Sequence, residues 1–330
     1  MAVWFARTTG NINTVNKWNS AADGSGSWLT WPPASGDVLM ANGLAITINV
    51  NTNLGATGQV RSDTANGATI GGGFTLGNGI SLTANVFCGS GSCIFSSSAT
   101  GFIVGSITGG TAAGAYGVNY QGSGTLTITG DVNGGTGNSA WGVFCLGTNT
   151  VTITGSLRST VSNAGAAYNS STGTINVTGD VIGITVSGAQ AYTVFNNGVG
   201  TINITGNTIA GVGEACRNNA GGTLTVSGYA QASTTSAALN NTAQGVMQVG
   251  ETQSASNGRG AVTGAFRYAS ATAAKDTSYT PDGQISMTVL DVAAIVPAES
   301  DVRKGLVYGD GAYTGTLQLG RNRTSMAGRF

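Results

Sequence analysis

The sequence predicts an all-β protein: a parallel β-helix, or β-solenoid, of about 22–27 residues per coil, with an N-terminal cap and a small β-rich C-terminal module. Three observations carry this. One phrase recurs along the middle of the chain, as GTLTITGDV at 124–132, NTVTITGSL at 149–157, GTINVTGDV at 173–181, GTINITGNT at 200–208, GTLTVSGYA at 222–230 and a worn GVMQVGETQ at 245–253. Within each copy apolar residues alternate with Thr or Asn, the period-two signature of a half-buried strand. The spacing between copies drifts within the twenties, which stacked coils absorb as small loop insertions.

The elements follow in chain order. Residues 1–42 hold four of the five tryptophans, Trp4, Trp18, Trp28 and Trp31, ahead of the first clear strand. A solenoid needs its end strand shielded, so this segment reads as a cap, and some of the rings are also candidate partner contacts, because Trp is enriched at interface hot spots. Residues 43–255 form the solenoid. LAITINVN at 44–51, GISLTANV at 79–86 and GFIVGSI at 101–107 extend it upstream of the marked repeats.

Each coil of the repeat carries two strands. The inward positions of one are Leu126/Ile128, Val151/Ile153, Ile175/Val177, Ile202/Ile204 and Leu224/Val226, and Gly130, Gly155, Gly179, Gly206 and Gly228 follow as turn glycines at a corner that only Gly enters cheaply. The other lies just upstream, with Val118, Val143, Ala167, Val194, Cys216 and Leu239 in one inward column. Two residues later the column reads Tyr120, Cys145, Asn169, Asn196, Asn218 and Asn241. Its four successive Asn predict a structural ladder of side-chain amides hydrogen-bonded along the stack, beside the plainer reading that Asn suits turns.

Residues 256–330 are a β-rich C-terminal module with a basic tail. Beyond 255 the repeat fades and the charges gather, with 8 of the 13 Lys and Arg in that last segment. Arg321, Arg323 and Arg329 stand in the tail without an acid and are further candidate partner contacts, as an arm on a neighbouring subunit or a flexible end.

Composition narrows the function. Formal net charge is zero and only 8% of residues are charged, so no footprint for nucleic acid or an anionic membrane surface is present. The start has no apolar signal-peptide core, and no run approaches the length of a membrane span, so the expectation is a soluble chain made in the cytoplasm without an export signal. Apolar content of 40% in a clear pattern argues for a folded chain despite 55 glycines.

The chain has no histidine, which removes Ser-His-Asp and Cys-His nucleophiles and most catalytic metal sites. No phosphate-binding glycine loop occurs, so no cofactor, metal or catalytic residue is assigned and the chain is read as non-enzymatic. Cys88, Cys93, Cys145 and Cys216 form no CxxC pair and are read as buried thiols, although Cys88 and Cys93 are close enough to close a small loop. The best enzymatic candidate is the pair Asp131 and Asp180, in one column with Ser156 between, whose separation touches the upper limit for an inverting glycosidase. That column continues as Asn207 and Tyr229, which is ordinary turn chemistry.

The run from ARTTGNINTVNKWN through WPPASGDVLMANGLAITINV resembles the entry segments of β-helical virion proteins of tailed bacteriophages. VPAESDVRKGLVYGDGAYTGTL is similar to a short module, DVR-x-G-x-x-YG-x-G-x-x-TGTL, found near the ends of phage structural proteins. The resemblance implies a capsid decoration protein, head fibre or tail spike on the particle exterior. It implies partners among the major capsid protein or other virion subunits, and a homo-oligomer, a trimer first. The leading expectation is a non-enzymatic decoration or head-fibre protein docked through its terminal segments. The alternatives are a tail spike or adhesin whose rod binds a host surface glycan, weakly through its hydroxyl-rich side, and a polysaccharide-cleaving β-helix.

Overall fold

The computed structural model describes residues 1–62, 74–89, 94–95, 100–161, 164–183, 192–211, 213–232, 237–241, 245–254, 261–266, 285–289, 307–308 and 313–314, with side chains up to residue 250 apart from 94, 95 and 237. Among these residues every regular element is a β-strand, and the repeat region is a parallel β-solenoid.

Each coil contributes three strands. The first ladder stacks Gly101–Val104, Thr125–Thr129, Thr150–Thr154, Thr174–Val177, Thr201–Ile204 and the start of Thr223–Ala232, all parallel. Leu126 faces Val151, then Ile175, Ile202 and Leu224, so the copies marked in the sequence are true structural repeats. The worn copy keeps the same register, with Met247 opposite Leu224.

The second ladder lies upstream in each coil and stacks Val118–Gly122, Val143–Gly147, Ala167–Asn169, Tyr192–Asn196, Glu214–Asn218 and Ala237–Asn241. Its inward column runs Val118, Val143, Ala167, Val194, Cys216, Leu239, and the Asn column follows two residues on, both as the sequence reading places them. This ladder continues through Ala261–Phe266 and Ile285–Val289, past the change in composition at 255.

A third ladder was not legible as a strand. It consists of two-residue segments just after the turn glycine: Ile107–Thr108, Val132–Asn133, Leu157–Arg158, Val181–Ile182 and Thr208–Ile209. Val132, Leu157 and Val181 are fully buried, so this corner is a core-facing face of its own.

Upstream, Ile80–Thr83 joins the first ladder and Asn85–Phe87 the third. LAITINVN supplies a stacked parallel strand outside the first ladder. Its strand, Ile46–Ile48, pairs with Gly10–Asn11 and Phe74–Leu76 in a separate parallel sheet, and the first-ladder partner of Leu82 is Thr52.

The turn glycines are needed for a different reason at most sites. Gly130 and Gly155 have φ of 150° and 156°, but Gly179, Gly206 and Gly228 do not lie in the left-handed region. What they share is stacking of backbone on backbone. A side-chain carbon on Gly179 would stand 2.5 Å from the Gly155 carbonyl oxygen, and one on Gly206 would stand 2.6 Å from that of Gly179. Any larger residue would push the coils apart.

Among the described residues one hydrophobic core runs from Trp4 and Trp18 to Met247. The N-terminal segment enters it as a small antiparallel sheet. Val3–Ala6 pairs with Trp18–Asn19, which pairs with Trp28–Leu29, and Val3–Ala6 also lies parallel against Val38–Met40, the first strand of the solenoid stack. Burial of Cys145 and Cys216 as free thiols agrees with the sequence reading, and desolvation pushes the Cys216 thiol up to about 12. Cys88 is disulfide-bonded, which corrects its reading as a thiol, and Cys93 lies outside the described residues.

Candidate functional site

The four Asn share one buried column, but they do not hydrogen-bond to one another. Asn169, Asn196, Asn218 and Asn241 each donate from Nδ2 to the carbonyl four residues on, at Gly173 (2.8 Å), Gly200 (3.0 Å), Gly222 (3.0 Å) and Gly245 (2.9 Å). Asn196 and Asn218 also reach the next coil, at Thr223 O (3.3 Å) and Val246 O (3.4 Å). The amide ladder expected from sequence is therefore a series of clips on the backbone, each closing an Asn-x-x-x-Gly turn. Where Cys145 replaces Asn, the donor moves to the glycine column: Asn149 is fully buried and donates 2.8 Å to Tyr120 O of the preceding coil.

The carboxylates Asp131 and Asp180 are occupied in the same structural way. Asp131 Oδ1 accepts from Ser156 N (2.8 Å), and Asp180 Oδ1 accepts from Asn207 N (2.8 Å) and Asn207 Nδ2 (3.1 Å). Asn207 repeats the device toward Tyr229 N (3.1 Å), and Asn85 toward Ser106 N (2.9 Å). Each side chain caps a backbone N–H of the following coil at the glycine corner.

The tryptophans divide. Trp4 and Trp18 are buried, with ring centroids 6.4 Å apart edge to face. Their indole N–H groups are satisfied, Trp4 by Asp37 Oδ2 (2.9 Å) and Trp18 by Ile12 O (2.7 Å). Trp31 is partly buried against the core, whereas Trp28 is 51% exposed. Trp28 is the most open of the four, and Met1 and Val15 are also exposed on this end. Arg321, Arg323 and Arg329 lie outside the described residues.

The sequence reading missed an aromatic ribbon on the outer side of the second ladder. Phe144, Tyr168, Phe195 and Arg217 are register partners on successive coils. Tyr116 stacks on Phe144 at 4.5 Å, and Phe144 on Tyr168 at 4.7 Å, with planes within 8°. Trp141 and Tyr192 flank the ribbon, 4.9 Å from Tyr168 and Phe195 respectively.

The ribbon ends in charge. The Arg217 guanidinium lies 4.6 Å over the Tyr192 ring and donates to its hydroxyl, and Glu214 sits 4.0 Å from Arg217 Nη1. Burial pushes the Glu214 carboxyl above the usual range, opposed by the Asn240 amide at 2.7 Å and by Arg217. The signal was available: these rings occupy the residue directly after the inward column that the sequence reading had already aligned.

Among the described residues no group of three or more His, Cys, Asp or Glu is placed to hold a metal ion, and no helix is long and apolar enough to cross a membrane. No protein-family model, curated protein or solved structure matches the chain.

Proposed function

We propose that this protein is a non-enzymatic structural component of a phage particle, a capsid decoration or head-fibre subunit that lies on the particle exterior and docks there through its terminal segments. The observation that carries the reading is the N-terminal end of the rod. There the cap that resembles phage entry segments buries Trp4 and Trp18 yet leaves Trp28 open. An exposed indole on a rigid, capped end is the kind of anchor that interfaces use. The partners are the major capsid protein or other virion subunits, and a homo-trimer is the first assembly proposed. Many copies docking at once make modest single contacts durable.

Two further observations support leaving catalysis out. Asp131 and Asp180 each cap a backbone N–H of the next coil, and the chain contains no histidine. Mass spectrometry of purified particles tests the proposal: the chain is expected in stoichiometric amount, and its absence from particles overturns it.

A second reading, a tail spike or adhesin that binds a host glycan, is favoured by the aromatic ribbon and its Arg217/Glu214/Asn240 end. The stacked faces of Tyr116, Phe144 and Tyr168 cover one another, so the directional contacts to a sugar fall to the polar end. A glycan array with the full chain and Arg217→Ala decides it.

A further inference from the structure

The most regular surface of the molecule is the outer side of the first ladder. Three ranks of side chains run along the solenoid axis: Thr125 to Thr223 in the first, Thr127 to Thr225 in the second, and Thr129, Thr154, Thr178, Thr205 and Ser227 in the third. Thr178 and Thr205 come directly after their strands, where Thr178 N–H bonds Ile153 O and Thr205 N–H bonds Val177 O. The first rank is Thr in all five coils and the third is Thr in four, ending in Ser227. The second holds Thr except at Asn176 and Asn203, which bond to each other at 2.9 Å. No charged residue interrupts the array, and the register holds without a shift from Thr125 to Val226.

Such a face is a poor site for an ionic small molecule, because no charged side chain stands on it. It is also a poor site for a charged polymer. What distinguishes it is periodicity, with neighbouring coils ~4.8 Å apart and alternate residues of a strand about 6.6 Å apart. Threonine is stiff at χ1, so each position fixes one hydroxyl and one methyl in a repeated orientation. The hydroxyls hold first-layer water while the methyls force that water into an ordered cage. The repeat along the rod axis is close to the shortest translational repeat of hexagonal ice.

We propose that this threonine face binds ice: it orders a water layer on its own lattice, and that layer joins the prism or basal surface of a growing crystal. Five coils in register act as one rigid template, in which individually weak contacts add. The proposal goes beyond the virion reading and stands or falls separately from it, since particle composition tests one and ice growth the other.

The experiment uses the full chain in a nanolitre osmometer, reading thermal hysteresis and crystal shape, with circular dichroism to confirm folding. Faceted crystals and a measurable hysteresis gap are expected. Thr152→Lys and, separately, Thr178→Lys place a charge in the array and should return growth to that of buffer. Gln121→Lys, an exposed position at the end of a second-ladder strand, should leave ice shaping intact. Round, unshaped crystals from the folded wild-type chain overturn the proposal, as does full hysteresis in both folded Thr→Lys variants. Retention of the chain on crystalline cellulose or chitin without ice shaping also overturns it, by assigning the lattice to a different solid.

Discussion

The Asn196 amide nitrogen lies 2.5 Å from the point where a side-chain carbon on Gly222, one coil on, would stand. The same amide holds the Gly200 carbonyl, and the Gly200 oxygen also crowds Gly222. Asn and Gly are thus a pair across coils: the clip in one coil demands a missing side chain in the next. Gly222→Ala forces backbone apart in a buried turn and should cost about 1–3 kcal/mol. Gly221→Ala is the control, since nothing lies within 4 Å of its added carbon, and should stay within about 0.5 kcal/mol. Urea denaturation of the two variants checks the contrast.

Removing the clip itself has a different signature. Asn196→Ala removes the side-chain donor to the Gly200 and Thr223 carbonyls, but Gly200 O keeps the Thr223 N–H at 2.9 Å, so the loss should be about 0.5–1.5 kcal/mol. Asn196→Asp should be worse at neutral pH, because a carboxylate there faces carbonyl oxygens. If Asp proves no worse than Ala, the amide is not acting as a donor.

Much of this was readable from sequence, and the reasons are physical. The first two ladders have strands long enough for alternation to show, so even GVMQVGETQ aligned correctly, with Met247 opposite Leu224. The third ladder escaped because two residues, such as Val132–Asn133, cannot display a period. LAITINVN showed a strand that extends the stack but not its ladder, because alternation tells which side is buried and not which neighbour supplies the hydrogen bonds. The ribbon from Phe144 to Arg217 escaped because its column, Phe, Tyr, Phe and Arg, repeats no single residue type that would mark it along the chain.

Alternation does predict the cost of a charge on either side of one strand. Ile153 is fully buried and its neighbour Thr154 is exposed. Ile153→Asp places an unpaired carboxylate inside a narrow core and should cost upward of ~4 kcal/mol, opening the flanking coils as well. Thr154→Asp should lie within about 0.5 kcal/mol of wild type. Hydrogen exchange on both variants will show whether protection is lost only for Ile153→Asp and only around its own and adjacent coils.

Acid should loosen the N-terminal cap first. Burial alone would raise the pKa of Asp37, but N–H donors from Ala2, Ala34 and the Trp4 indole, with the amino terminus nearby, outweigh it and hold the carboxyl below its ordinary 3.8. The native state then binds fewer protons than the unfolded chain, so stability rises with pH across that window. The contribution is fully present above the unfolded value and is lost as pH falls through the folded one. Tryptophan fluorescence melts should show wild type more stable than Asp37→Asn near neutrality and the two converging in strong acid. A constant gap at every pH would mean that the ionised carboxylate is not what holds Trp4.

Trp18 and Trp28 separate folding from docking. Trp18 is 1% exposed, packs edge to face on Trp4 and donates to Ile12 O, so Trp18→Ala should cost about 3–5 kcal/mol and unseat the cap. Trp28 stands on the outer strand of the same sheet at 51% exposure, and Trp28→Ala should change stability by no more than about 0.5 kcal/mol. If the cap is the anchor, particles assembled with Trp28→Ala should carry clearly fewer copies of the chain, while its melt overlays that of wild type. Equal occupancy would move the anchor elsewhere, because removing the most exposed ring of the four would then have removed nothing that the partner touches.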